Sequence, residues 1–192
     1  MSLHCEGAPA FPSQDRVRYW RVAALGGNVA AMRHYTVGNA FGLNDTLENL
    51  DELHLYRNEA EAIAKRAVAA GDLPTTLALA AAYSPQPRNG RRFYLAQVVK
   101  PDPGQALALY LHVQDRLRDG PPLTQPARAR MEATLRDLES GLSPAARAQA
   151  RAQASRYSAD TPVLPSDRGY AFNSPIVGAT ATIDRQDCDP PR

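Results

Sequence analysis

The chain has 192 residues, 44% apolar and 22% charged, enough for one sizeable folded domain or a short run of repeats. Its 22 basic and 20 acidic residues leave a net charge of +2, too small to make nucleic acid or an anionic membrane the main partner. No apolar run nears the roughly 20 residues of a membrane span, and the opening MSLHCEGAPAF lacks the basic and apolar regions of a signal peptide.

Residues 1–12 carry Gly7, Pro9 and Pro12 with no period, and read as an irregular segment. Ser13 then has the chemistry of an N-cap for a helix through Leu25, with Val17, Trp20 and Ala24 on one face and Trp20 expected in the core. Gly26-Gly27 ends that helix, and Asn28 caps a second one through about Ala40 with Met32 and Tyr35 inward. Asp45 to Glu48 has capping-box spacing and predicts the start of the longest helix, over 46–70. Leu53, Tyr56, Ala60, Ile63 and Ala67 form its buried stripe. Asp72 caps a helix over 73–84, in which Pro74 falls where the first turn has no amide bond to lose.

A loop, PQPRNGRR, follows, and then FYLAQVV (93–99), whose length leaves helix and extended chain both open. Asp102 and Pro103 start a helix with Ala106, Leu109, Tyr110, Val113 and Leu117 on one face, ended by Gly120. Thr124 opens another helix, with Ala127, Met131, Leu135 and Leu138 inward, and Ser143-Pro144 starts the last one, rich in alanine and arginine. Beyond Ser158 the helical pattern stops. The tail from 159 to 192 is proline-rich, and only PIVGATATI (175–183) is apolar enough to form a strand or to pack extended on a surface.

Two corners repeat. Ala23, Gly27, Asn28 and Ala31 have the offsets of Ala67, Gly71, Asp72 and Thr75, and Trp20, Ala64 and Leu109 are spaced 44 and 45 residues apart. With Tyr83 and the DPGQALALY of 102–110, these residues resemble the Sel-one-like repeat, a relative of the tetratricopeptide repeat. The likeness covers roughly 14–157; the third unit lacks the AA-x2-G pattern, and the family's Leu-Gly pair is missing throughout. The resemblance implies a protein-interaction scaffold with no chemistry of its own.

Residues that carry chemistry are scattered. His4, His34, His54 and His112 share no metal-ligand spacing with one another or with cysteine, so the sequence predicts no metal site and no cofactor. No GxSxG elbow and no glycine-rich phosphate cradle occurs, and the acidic pairs 51/52 and 59/61 read as solvated faces. Arg88, Arg91 and Arg92, and Arg147, Arg151 and Arg156, read as solvated basic clusters. Cys5 and Cys188 lie near opposite ends, either as free thiols in a cytoplasmic protein or as one disulfide in a periplasmic or secreted one; the second is preferred.

The expectation is therefore an all-α, short right-handed solenoid of stacked helical hairpins over 13–158, flanked by 1–12 and by an extended tail, 159–192, packed on it. It is expected to bind a peptide or protein segment in a groove lined by 28–40, 73–84 and 124–138, with Arg33, Asn39, Thr76, Tyr83 and Arg128 as contact candidates. It is not expected to be an enzyme. The rival is a cell-envelope enzyme or glycan-binding protein with its site between solenoid and tail.

Overall fold

The computed structural model of the chain describes residues 12–42, 47–85, 94–118 and 125–160. Among them are eight helices and no strand: α1 Ser13–Leu25, α2 Val29–Thr36, α3 Leu50–Ala69, α4 Leu73–Tyr83, α5 Tyr94–Val98, α6 Pro103–Arg118, α7 Gln125–Ser140 and α8 Pro144–Asp160. The all-α expectation holds. None of these helices is long and apolar enough to cross a membrane. Both cysteines, the loop arginines 88, 91 and 92, and the tail beyond Asp160 lie outside the described residues.

The two repeated corners have the same construction. Gly27 and Gly71 take φ of +94° and +86°, the left-handed region that costs a glycine little. That turn lets Asn28 N donate to Ala23 O at 3.1 Å, and Asp72 N to Ala67 O at 3.0 Å, so the last carbonyls of α1 and α3 are satisfied. The next helix is capped at the same residue: Asn28 accepts from Ala31 N at 2.9 Å, and Asp72 from Thr75 N at 3.0 Å. A short chemical sequence thus both stops one helix and starts another.

Other boundaries shift. Pro12 rather than Ser13 stands at the N-cap of α1, and the Ser13 hydroxyl instead donates to Glu48 at 3.0 Å. Helix α2 stops at Thr36, four residues early, because Gly38 turns the chain at φ +88°. Helix α3 begins at Leu50 behind Asn49; the capping box anticipated at Asp45 falls partly outside the described residues. The ambiguous 93–99 contains a helix, α5. Asp102 accepts from Gln105 N at 3.0 Å, as an N-cap should.

Each helix packs on its successor in the pairs α1–α2, α2–α3, α3–α4, α4–α5 and α6–α7, and on its next-but-one neighbour in α1–α3, α2–α4, α3–α5, α4–α6 and α6–α8. The apolar faces between them form one continuous core, from Val17 and Ala24 of α1 to Leu135 of α7 and Ala150 of α8. Trp20 lies at its edge: it is half-buried and tilts over the His34 ring, centroids 4.0 Å apart. The centre is aromatic. Tyr35, Phe41, Tyr56 and Tyr94 meet with centroids 5.3 to 6.2 Å apart, and the Tyr56 hydroxyl donates to the Thr36 carbonyl. Such pairs add roughly 0.5–1.5 kcal/mol each to simple burial. Tyr94 lies so close over Gly38 that a Cβ there would meet its ring carbon at 2.5 Å.

Candidate binding cleft

Several charged and polar side chains of the first four helices pair with one another. Arg33, on α2, reaches the buried carboxylate of Asp72 and donates Nε to Oδ1 at 2.9 Å and to Oδ2 at 3.1 Å, with Nη2 also on Oδ1. Asp72 at the same time caps α4 through Thr75, and the buried Thr76 hydroxyl donates to the Asp72 carbonyl at 2.8 Å. Arg21 of α1 forms a two-pronged bond to Glu59 of α3, at 2.6 and 2.9 Å, and the Tyr35 hydroxyl donates to the same carboxylate at 2.8 Å. Burial, followed by that carboxylate, pushes the Tyr35 phenol well above its ordinary pKa. Arg18 donates to Glu52 at 2.8 Å; the other oxygen of that buried glutamate has no hydrogen-bond partner among the described residues.

Of the five contact candidates, Arg33 and Thr76 therefore meet at Asp72, inside the stack. Asn39 is exposed in the turn after α2. Arg128 is exposed on α7, whose packing partner is α6. Tyr83 borders a concavity.

That concavity is a cleft of about 330 Å³ where α3, α4, α6 and α8 converge. Its floor is apolar, from Val68 on α3, Leu79 on α4 and Leu109 on α6, all buried. Exposed Ala69, Lys65 and Asp160 stand on the rim, and Gln105 and Tyr157 complete the wall. The polar groups are already ordered. Tyr83 donates to Glu61 at 2.7 Å, and Lys65 pairs with the same Glu61 oxygen at 2.7 Å. The bond from Lys65, then that from Tyr83, hold the Glu61 carboxyl below its usual range against the opposing effect of burial. Burial, then Glu61, pushes the Tyr83 phenol up, so it stays a protonated donor at any physiological pH. Across the cleft, Gln153 donates to Gln105 at 2.8 Å and to the Tyr157 hydroxyl at 3.2 Å.

Of the residues lining the cleft, Tyr83 was among the sequence candidates; Lys65, Gln105 and Tyr157 were not. One signal was available: Tyr157 is the single aromatic side chain on an alanine-, arginine- and glutamine-rich helix whose Ala150 and Ala154 are buried. A volume near 330 Å³ lies at the low end of ligand pockets. It suits one or two anchoring side chains and leaves the remainder of a ligand outside.

One pair elsewhere has a reactive look. His112 Nδ1 lies 3.0 Å from the Ser158 hydroxyl, as in a base–nucleophile pair. The ring is only 2% exposed, and burial with Arg116 nearby lowers its pKa to about 4, Asp115 opposing. The bond ties α8 to α6. His54 is exposed, with Asn58 at 3.5 Å. No group of three or more metal-ligating side chains occurs among the described residues. Compared with family models, curated proteins and solved structures, the chain matches none.

Proposed function

We propose that the chain is a protein-interaction module, a short right-handed solenoid of helical hairpins akin to Sel-one-like repeats. It takes a peptide or protein segment in the cleft of α3, α4, α6 and α8. The observation that carries this reading is the cleft itself: an apolar floor of Val68, Leu79 and Leu109 beneath a rim of fixed polar groups. That combination accepts an apolar anchor and orients a chain lying across it. The matching corners at Gly27-Asn28 and Gly71-Asp72, and the packing of helices on next-but-one neighbours, support the repeat architecture. Of the three stretches expected to line the groove, only 73–84 (α4) borders this cleft; α3, α6 and α8 take the place of 28–40 and 124–138.

Selection of a displayed random-peptide library on the full chain tests the reading. Enriched peptides are expected to share an apolar anchor and to lose tenfold or more in affinity against Ala69→Glu, which places a carboxylate at the rim without touching the core. Enriched peptides that bind Ala69→Glu unchanged would show that the cleft is not the site. The same proposal joins Cys5 to Cys188 in a periplasmic or secreted setting, where thiol counting under denaturing, non-reducing conditions finds none free. Two free thiols in protein from its native compartment return it to the cytoplasm.

A further inference from the structure

We infer that the chain forms a two-fold dimer through the outer face of α1, packed antiparallel on the α1 of a second copy. The first observation is a contrast between the first helix and the last. Asp15, Arg18, Tyr19, Val22 and Leu25 are all exposed on α1, at the spacing of one helix face. Tyr19 is 64% exposed, Val22 65% and Leu25 40%, and Leu55 of the neighbouring α3 is 37% exposed. Helix α8 instead exposes Gln149, Arg151, Ser155 and Arg156. A terminal helix in a row of stacked units needs a polar outer face to stay soluble alone, and α8 has one where α1 does not. Among the described residues α1 packs on α2 and α3, which take up its other faces.

The second observation is charge, and it selects both the occupant and its direction. Asp15 lies in the first turn of α1, with Arg18 at 3.9 Å. At the opposite end, exposed Arg66 of α3 donates to the Leu25 carbonyl at 3.2 Å, beside the corner at Gly27. A two-fold axis at Val22 sets Tyr19 against Leu25 of the second copy. It also brings Asp15, about 10 Å from the axis along the helix, to the second copy's Arg66, and the pair occurs twice per dimer. The apolar stripe is then closed at both ends by opposite charges, and the two helix dipoles oppose one another. A parallel arrangement would put Asp15 on Asp15 and Arg66 on Arg66. A contact along one helix, about 20 Å long, is at the low end of specific interfaces, so the dissociation constant should be on the order of 10–100 μM. None of these residues lines the cleft of α3, α4, α6 and α8, so the dimer carries two clefts.

Sedimentation velocity on the full chain, from about 5 μM to about 1 mM, should show a reversible monomer–dimer equilibrium. Val22→Glu sets two carboxylates on the axis and should weaken the dimer roughly a hundredfold. Because Val22 is exposed, the helical spectrum and the melting of the monomer should stay as they are. Asp15→Lys and Arg66→Asp should each weaken the dimer about threefold to tenfold, and the two together in one chain should restore it. Restoration requires the antiparallel arrangement, since two unrelated losses would add rather than cancel. A chain that stays monomeric throughout the range would overturn the proposal and leave the face to a different protein. A dimer that survives Val22→Glu would overturn it too, by placing the contact elsewhere. A double charge variant weaker than either single one would sink the antiparallel pairing.

Discussion

The first four helices and the last three are fastened by different chemistry. Between α1 and α4 the ties are charged: Arg18 to Glu52, Arg21 to Glu59 and Arg33 to Asp72. Between α6 and α8 they are neutral, His112 to Ser158 and Gln105 to Gln153, over buried Ala106, Ala150 and Ala154; the charged tie there, Arg151 to Glu139, joins α8 to α7 and is solvent-exposed. A buried charge pair tolerates no lost partner, because the survivor keeps its desolvation cost. A neutral amide pair loses only a hydrogen bond. The charged half is thus held in one register, while the neutral half, which supplies the α6 and α8 walls of the cleft, is easier to adjust.

The most damaging change should fall in the charged half. Asp72→Ala removes both the cap of α4 and the counter-ion of half-buried Arg33, and is expected to cost about 3–5 kcal/mol. A denaturant midpoint lowered at unchanged slope would record it; a loss under about 1 kcal/mol would mean the pair is ornamental. Gly38→Ala tests the join between the halves. It forces a side chain into φ +88° and against Tyr94, so a loss of roughly 2–4 kcal/mol is expected by the same measurement.

The neutral half should show itself through pH. The His112 pKa is lowered from 6.5 to about 4, so between those values the unfolded chain binds more protons than the folded one. Stability therefore rises with pH across that window, is complete above about 6.5, and is lost as pH falls toward 4. The effect should be on the order of 1–3 kcal/mol. His34, also lowered by burial and then by Arg16, adds a slope of the same sign, so the decisive comparison is with His112→Gln. An unchanged acid limb in that variant would clear the ring of any part in it. The smallest effect belongs to Gln153→Ala, expected at about 1 kcal/mol. A loss as large as that of Asp72→Ala would erase the contrast between the halves.

What the sequence made legible was local. The corners at Gly27-Asn28 and Gly71-Asp72 are specified by residues within five positions of each other, and they formed as expected. So did the stripe of α3, because a period of three and four survives whatever packs on it. The partners of Arg33 and Tyr83 were hidden: Asp72 lies 39 residues from Arg33, and Glu61 lies 22 from Tyr83, on neighbouring helices whose rotation no local pattern encodes. Trp20 shares a face with Val17 and Ala24, yet those two fill the seam and leave the indole at its margin. The cleft was least visible of all, since four helices each lend it only a few residues.

Tyr94 carries one more implication. In a row of stacked units, each usually touches only its immediate neighbours, and unfolding can creep inward from an end. Here the ring of Tyr94, at the start of α5, stacks on Phe41 at 5.3 Å and covers Gly38, both beyond the end of α2. Helix α5 thereby holds the turn that follows α2 as well as α3 and α4. Peeling off α1 and α2 breaks contacts with α5 as well as with α3 and α4, so fraying at that end carries an added penalty. Melting of α1 to α5 should accordingly be all-or-none.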